Sequence, residues 1–222
     1  MLNNNGNPMS DFYGSKQREY QDRFDTRRLA DRVEQIIVHA DINAEDRQFI
    51  EGRDLFFLST IDHKGRPSCS YKGGDPGFVR VVDGKTIAFP SYDGNGMFYS
   101  LGNMAANAEV GLLFIDFEKP HRLRLHGTAS VQENDPLLAS FSGAQVVVRV
   151  RVAEIFVNCP RYVHQFKKVK HSPFVPKPAE AAPVPDWKRI DLLHDVLPER
   201  DRPQVAACGT ITVQEYAEKT SR

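Results

Sequence analysis

Polar side chains alternate along the segment RPSCSYK in a way that suits anion binding. In an extended strand, alternation places Ser68, Ser70 and Lys72 on one face and Cys69 and Tyr71 on the other. Hydroxyl groups and an ammonium on one face donate hydrogen bonds toward a phosphate. A solvated strand face, with Lys72 as a solubilising charge, explains the same pattern without a ligand. The pattern alone favours that second interpretation.

A loop rich in glycine and asparagine, SYDGNG at residues 91–96, connects a predicted strand to a predicted helix. A junction of this kind presents free backbone amides and the positive end of a helix dipole, and both attract anions. An ordinary turn before a capped helix has the same composition. The loop is therefore a second candidate for contact with a phosphate.

No spacing typical of a metal site or a catalytic triad is legible in the sequence. The seven histidines show no HxxxH pattern, and the three cysteines, Cys69, Cys159 and Cys208, show no CxxC pattern. An odd number of scattered cysteines fits reduced thiols better than a disulfide framework or a zinc site. We therefore identify no catalytic side chain and expect no metal.

Strand and turn signals place both candidate segments in a β structure. Strands are predicted at residues 54–61, 66–72, 78–82, 86–90, 110–117, 121–132 and 145–158. The first six form three antiparallel hairpins, and Asp83-Gly84 is a strong turn signal for the second. One helix, at residues 97–108, separates the fourth strand from the fifth. This order predicts a closed or nearly closed antiparallel barrel, with a sandwich as the alternative.

Helices and irregular segments are predicted on either side of the strands. The helices are an amphipathic one at 15–40, a capped one at 43–52 and others near 136–141, 159–168 and 187–193. Five prolines at 172–186 indicate an extended arm. The predicted organisation is a polar, disordered tail (1–14), a helical extension (15–53), a barrel (54–171), and the Pro-rich arm with a short helix and a polar tail (172–222).

Composition limits the partners and the location of the protein. Lys plus Arg and Asp plus Glu number 29 each among 222 residues, so the formal net charge is zero. A basic excess, which nucleic acids and anionic membranes attract, is absent from the sequence. The first ten residues are polar, and no apolar run approaches the roughly 20 residues that span a bilayer. We therefore expect a cytoplasmic protein.

Three stretches resemble the FMN-binding pyridoxamine 5'-phosphate oxidase-like family. They are FFLSTIDHKGRPSCSYKGGDPGFVRV, IAFPSYDGNGMFYSLGNMAANAEVGLLFIDF and RLRLHGTASV. The resemblance covers roughly residues 50–170, and a matching Trp-bearing segment lies near 187. It implies a mainly β split barrel with flanking helices and an FMN site at the interface of a homodimer, where the second subunit completes the site.

The resemblance also implies which residues contact FMN. Phe89, Pro90 and Ser91 would line the flavin ring, and Asn95, Gly96, Met97 and Ser100 would surround the ribityl phosphate. From the partner subunit, Arg161 would reach FMN, and Trp187 would either stack on the ring or anchor the Pro-rich arm. The full set of expected cofactor contacts is Ser68, Ser70, Tyr71, Lys72, Phe89, Pro90, Ser91, Asn95, Gly96, Met97, Ser100, Arg161 and Trp187.

One position departs from the family. Members often carry Arg or Lys in the loop that holds the phosphate, whereas this chain has Gly96 and Met97. Phosphate affinity must then come from backbone amides, hydroxyls and Lys72, and the flexible Gly73-Gly74 pair allows close backbone approach.

Two classes of function follow from this sequence. The first is an FMN-dependent oxidoreductase acting on a small molecule, because the flavin performs the redox chemistry and needs no catalytic side chain. The second is a non-enzymatic flavin carrier or sensor. A relative that binds a deazaflavin or haem on the same fold is a further alternative, since fold does not fix function.

Overall fold

A computed structural model describes residues 12–220, in which seven strands form one antiparallel sheet. The strands are β1 (Leu55–Ile61), β2 (Pro67–Gly73), β3 (Arg80–Asp83), β4 (Thr86–Tyr92), β5 (Glu109–Asp116), β6 (His121–Gln132) and β7 (Ala144–Val157). Their order in the sheet is β2-β1-β5-β6-β7-β4-β3. The three predicted hairpins are confirmed, as is the split-barrel class with flanking helices.

The sheet is curved but not closed. Its two edges are β2 and β3, and these do not pair with each other within the described chain. Phe56 on β1 packs on Phe89 of β4 and Phe114 of β5, with ring centroids 5.0 and 5.2 Å apart. All three rings are buried, so the inner face of the curved sheet holds the hydrophobic core. Of the predicted closed or nearly closed barrel, only full closure is wrong, because the edge strands β2 and β3 do not pair.

The N-terminal extension contains three helices: α1 (Ser15–Arg23), α2 (Arg27–Ile37) and α3 (Ala44–Glu51). The single helix predicted at 15–40 is wrong, because Asp25 has a left-handed backbone with φ of 53°. That conformation ends one helix and redirects the chain. The capping box that opens α3 is confirmed, with Asp46 N donating to Asn43 Oδ1 (2.9 Å) and Asn43 N donating to Asp46 Oδ2 (3.0 Å).

The tail predicted at residues 1–14 falls mostly outside the described residues. Phe12, the first described residue, packs edge-on against the ring of Phe156 on β7, with centroids 5.2 Å apart. This contact ties the start of the described chain to the outer side of the sheet.

No helix forms at residues 159–168, contrary to prediction. Only one turn is closed there, by Val163 N donating to Pro160 O (2.8 Å). Beyond it, Phe166 N donates to Phe117 O (3.0 Å), and the Phe166 and Phe117 rings pack edge to face. Hydrogen bonds to the β5–β6 turn thus replace the bonds a helix would make.

The C-terminal region contains more structure than the predicted short helix and polar tail. After irregular chain at 172–185 come 3₁₀ helices at Asp186–Arg189 and Asp191–Val196, then α5 (Arg202–Cys208) and α6 (Val213–Thr220). Leu197, Val205 and Ile211 are buried there, so the segment predicted to be a polar tail contains helices and buried apolar residues. No helix among residues 12–220 has the length and apolar character needed to cross a bilayer.

Candidate functional site

Two adjoining cavities lie where the ends of β2 and β4 meet α4 (Tyr99–Ala106). The first has a volume of about 190 Å³ and the second about 230 Å³. The residues that border both are Lys72, Ser91, Tyr92, Gly94, Ser100 and Leu101. The strand segment and the loop that the sequence singled out therefore meet at one place, although about 20 residues separate them along the chain.

Lys72 supplies the only ammonium that lines these cavities. It is half-buried, and its side chain makes no hydrogen bond or ion pair with any other residue of the described chain. Burial lowers the pKa of Lys72, because partial removal from water disfavours the charged form. A half-buried cation without a counter-ion is an electrostatic cost that a bound anion would offset.

Hydrogen bonds fix α4 against the first hairpin. Asn103 Nδ2 donates to Thr60 Oγ1 (3.0 Å), and Tyr99 OH donates to Asp62 Oδ2 (3.1 Å). Hydrogen bonds from the backbone amides of Arg66 and Lys64 lower the pKa of Asp62, and the hydrogen bond from Tyr99 adds to them. Helix α4 is consequently held at a fixed position against β1 and the turn that follows it.

The entry into α4 has an unusual backbone. Phe98, at the N-cap position, is left-handed with φ of 48°, and Gly96 has φ of 77°. A left-handed aromatic residue is strained, whereas glycine adopts this conformation without a steric cost. The amides of the first turn of α4 have no acceptor within the helix. Phe98 and Tyr99 line the first cavity, so its mouth combines exposed aromatic rings with free amides.

The second cavity also has apolar lining. Five of its lining residues are apolar and buried: Phe78, Phe89, Pro90, Met104 and Val148. Lining of this kind suits a flat ring. Because Lys72 lines the same cavity, apolar contact and a cation are available to one ligand.

Asp93, which borders the second cavity, binds the C-terminal segment. Its carboxylate accepts from Lys188 Nζ (2.5 Å), Arg200 Nη2 (3.0 Å) and Gln145 Nε2 (3.0 Å). Burial opposes ionisation of Asp93, but the hydrogen bond and charge of Lys188, helped by Arg200, outweigh it and lower its pKa. Sequence analysis missed Asp93, because its partners lie on segments distant along the chain and no local pattern marks the contact.

The structure brings together most of the residues expected to contact a cofactor. Those that line the cavities are Tyr71, Lys72, Phe89, Pro90, Ser91, Asn95, Gly96 and Ser100. Sequence analysis did not identify Tyr92, Gly94, Phe98, Tyr99 and Leu101, which also line them. The composition of the loop could have indicated these five, since they continue the segment on either side of Asn95.

Five expected contacts do not line either cavity. Ser70 lies next to a residue that lines both cavities, because its Oγ is 3.2 Å from Ser100 Oγ. Ser68 pairs with Thr60 farther along the hairpin, and Met97 is mostly exposed. Arg161 is exposed beside Tyr162, while Trp187 is half-buried next to Lys188. Within one chain, these last two are not part of the site.

Comparison with solved structures finds proteins that are matched over almost their whole length, whereas 52–65% of this chain is matched. HupZ from Group A Streptococcus is 22% identical, with 52% of this chain and 93% of that chain covered and a TM-score of 0.43. An FMN-binding protein from Syntrophomonas wolfei is 12% identical, covering 65% and 95%, with a TM-score of 0.40. HutZ, a haem storage protein from Vibrio cholerae, is 20% identical, covering 52% and 94%, with a TM-score of 0.39.

A search of curated protein sequences finds no match. In contrast, the sequence model of the pyridoxamine 5'-phosphate oxidase family matches residues 42–159, more than half of the chain. The matched region begins just before α3, contains all seven strands and both cavities, and ends directly after β7. The chain belongs to the pyridoxamine 5'-phosphate oxidase family.

Proposed function

We propose that this protein binds FMN in the two adjoining cavities and acts as an FMN-dependent oxidoreductase on a small molecule. The observation that carries the proposal is the half-buried ammonium of Lys72, which borders both cavities and has no ion-pair or hydrogen-bond partner among residues 12–220, together with the buried apolar residues that line the second cavity. FMN has the matching chemistry, since a flat ring system is joined through a ribityl chain to a phosphate.

The residues present fit such a ligand. Lys72 and the hydroxyl of Ser100 would donate to the phosphate, together with amides of the 91–97 loop. Phe89 and Pro90 would contact the ring. Bound FMN would supply the electron transfer, while these side chains bind it, orient it and exclude water from one face of its ring.

We further propose that the protein is a homodimer in which each flavin site is shared. The open edges of the sheet and the exposed position of Arg161 support this arrangement, since a site bordered by an opening can be completed from outside. In the dimer, the partner subunit's Arg161 and the partner subunit's Trp187 would contact the FMN. A mass near the 25.1 kDa monomer across micromolar concentrations in light scattering would overturn the shared-site arrangement.

A cytoplasmic location is part of the same proposal. All three cysteines, Cys69, Cys159 and Cys208, are free and exposed. Exposed free thiols persist in a reducing compartment, where disulfides are rare.

The absorption spectrum of the purified protein, with and without added FMN, tests the cofactor. We expect flavin bands that remain with the protein through gel filtration. A single deazaflavin band or a Soret band would instead identify a different cofactor on the same fold and overturn the proposal.

Turnover is tested separately, by adding NADH or NADPH and then candidate acceptors. Rapid reduction followed by reoxidation with an acceptor supports an oxidoreductase. Slow reduction with no acceptor turned over would favour a flavin carrier or sensor.

A further inference from the structure

Lys72 is a lysine that the fold places beside apolar side chains and without a carboxylate partner. On β2 it pairs with Phe56 of β1, and residues that pair across an antiparallel ladder lie on the same face of the sheet. Phe56 is completely buried, so Lys72 lies on the face that holds the core. Asp93 is the one carboxylate among the described residues that line the cavities, and it already accepts hydrogen bonds from three other side chains.

Lys188 shows what a counter-ion changes. It is buried, but its Nζ binds Asp93 (2.5 Å) and Asp201 (2.9 Å). Burial opposes its charge, yet the two hydrogen bonds outweigh burial and raise the pKa of Lys188. For Lys72, burial acts alone and lowers the pKa. At a given pH, Lys72 is therefore a neutral amine more often than an exposed lysine is, and the neutral amine is the form that attacks carbonyl groups.

A proton donor lies at the same cavities. Tyr92 is half-buried, lines both of them and forms no hydrogen bond within residues 12–220. Consecutive residues of a strand normally face opposite sides, but a register shift between Ser91 and Tyr92 on β4 brings both to the cavities. Burial raises the pKa of the Tyr92 phenol, and the charge of Asp75 adds to this effect. The hydroxyl therefore keeps its proton and is able to donate it.

We propose that, before FMN binds, Lys72 forms an imine with apolar aromatic aldehydes that enter the second cavity. The lone pair of Lys72 Nζ attacks the aldehyde carbon, and the carbonyl oxygen takes a proton from the Tyr92 hydroxyl, which recovers one from the nitrogen. Tyr92 then protonates the new hydroxyl group, which leaves as water while the C=N bond forms, and the nitrogen returns the second proton. The products are an imine and water, so no oxidant or reductant is required.

The lining of the second cavity selects this class of aldehyde. Its volume is about 230 Å³, and the buried side chains of Phe78, Phe89 and Met104 contribute to its lining. Lys72 is the one cation that lines the cavities within the described chain, and as a neutral imine it no longer pairs with an anionic group. An uncharged, flat aldehyde therefore fits best. The inference goes beyond the proposed function, because it requires the cavities and Lys72 but no flavin, and such aldehydes would compete with FMN.

Reductive trapping tests the proposal in the full-length protein freed of flavin. The protein is incubated with 2-naphthaldehyde and sodium cyanoborohydride, which reduces an imine to a stable amine, and peptide mass spectrometry locates the adduct. Lys64 and Lys119 serve as internal references, since both are exposed and form no ion pair within residues 12–220. We expect Lys72 to be labelled at least about tenfold faster than either, because the cavity holds the ring beside the amine.

Two variants separate the roles of the amine and the phenol. Lys72→Arg keeps the positive charge but does not form an imine, so labelling at this position should disappear. The matched control, Lys64→Arg, should leave the labelling of Lys72 unchanged. Tyr92→Phe keeps the ring and removes only the proton donor, and we expect it to slow the labelling of Lys72 at least about tenfold. Because the Tyr92 hydroxyl makes no hydrogen bond within the described chain, this variant should retain the wild-type Tm.

Adding FMN first should slow the labelling of Lys72 and leave that of Lys64 unchanged. Labelling spread equally over exposed lysines, a Tyr92→Phe variant that reacts at the wild-type rate, or FMN that binds without protecting Lys72 would each overturn this proposal. FMN fluorescence is recorded on the same samples. Failure of FMN to bind while Lys72 is still labelled would overturn the proposed function instead, so the two failures are distinguishable.

Discussion

The ammonium of Lys188 lies 2.5 Å from Oδ2 of Asp93, although 95 residues separate them along the chain. Lys188 is buried, and it also binds Asp201 (2.9 Å). Asp93 borders the second cavity. A hydrogen bond therefore joins the C-terminal segment directly to the loop at the edge of the candidate site. A substitution in the C-terminal segment should then alter ligand binding at that site.

Replacing Lys188 should weaken both the fold and the site. Lys188→Met removes the buried cation that Asp93 and Asp201 share and leaves them only the exposed Arg200, so we expect a loss of roughly 1–3 kcal/mol in unfolding free energy. FMN affinity should fall as well, because the 91–96 loop loses one of the three side chains that donate hydrogen bonds to Asp93. Lys188→Arg, which keeps the charge, should retain most of the unfolding free energy and most of the FMN affinity. Denaturant unfolding and FMN titration measure the two effects, and unchanged FMN affinity in Lys188→Met would separate the loop from this contact.

Lys72 should distinguish FMN from riboflavin. A charge-assisted hydrogen bond to the phosphate is worth about 1.5–3 kcal/mol, so Lys72→Ala should weaken FMN about tenfold or more. Riboflavin lacks the phosphate and should bind almost as before. Lys72→Arg serves as the control that keeps the charge. Equal losses of affinity for FMN and riboflavin would show that Lys72 only supports the structure of the site and does not bind the phosphate.

FMN affinity should also decline at alkaline pH. Burial lowers the pKa of Lys72, so its ammonium loses a proton below the usual lysine range. The phosphate prefers the protonated form, and affinity should therefore be highest below the lowered pKa and fall as the pH rises through it. Fluorescence titrations from neutral to alkaline pH measure this. The decline should be absent for riboflavin and for Lys72→Gln with FMN.

Gly74 should tolerate no side chain. A Cβ there would lie 2.4 Å from Cγ of Phe78, a buried residue of the second cavity. We expect Gly74→Ala to cost about 1–3 kcal/mol of stability through overpacking, or about 2–4 °C in Tm for each kcal/mol. Gly94→Ala is the matched control, because a Cβ at Gly94 meets no heavy atom within 4 Å. Equal thermal shifts for the two variants would contradict the steric explanation.

Trp187 fluorescence should decrease strongly when FMN binds. It is the only tryptophan of the chain, and its ring lies 5.6 Å from the ammonium of Lys188, which binds the edge of the site. Trp187→Ala should weaken FMN by about 0.5–1.5 kcal/mol if the ring stacks on the flavin of the partner subunit. Emission that is unchanged between apo and FMN-bound protein would remove Trp187 from the site and leave it as an anchor of the arm.

Local sequence patterns predicted the strands well, because each strand carries its own signal. On β2, the alternation that placed Ser68, Ser70 and Lys72 on one face matches their partial burial in the structure. The capping box at Asn43 was equally legible, since its two hydrogen bonds join residues three positions apart. Such contacts depend on neighbours in the chain and need no knowledge of the fold.

The errors arose where distant contacts overrode local preference. Residues 159–168 have a helical start at Pro160, but the β5–β6 turn takes up the hydrogen bonds of Phe166. The segment after Leu193 was predicted to be a polar tail, yet Leu197, Val205 and Ile211 within it are buried and two α-helices form there. Neither effect leaves a periodic signal in the sequence.

The sequence by itself determined the strand order along the chain, the family and the two segments that form the candidate site, because these depend on residue type and spacing. Only the tertiary structure decided that Lys72 has no counter-ion among residues 12–220, that Asp93 holds the C-terminal segment and that α2 leaves Leu29 and Ile36 exposed. Each of these depends on which distant groups approach within a few ångströms. A one-dimensional pattern does not contain that information, since it records what each residue is but not what folding brings beside it.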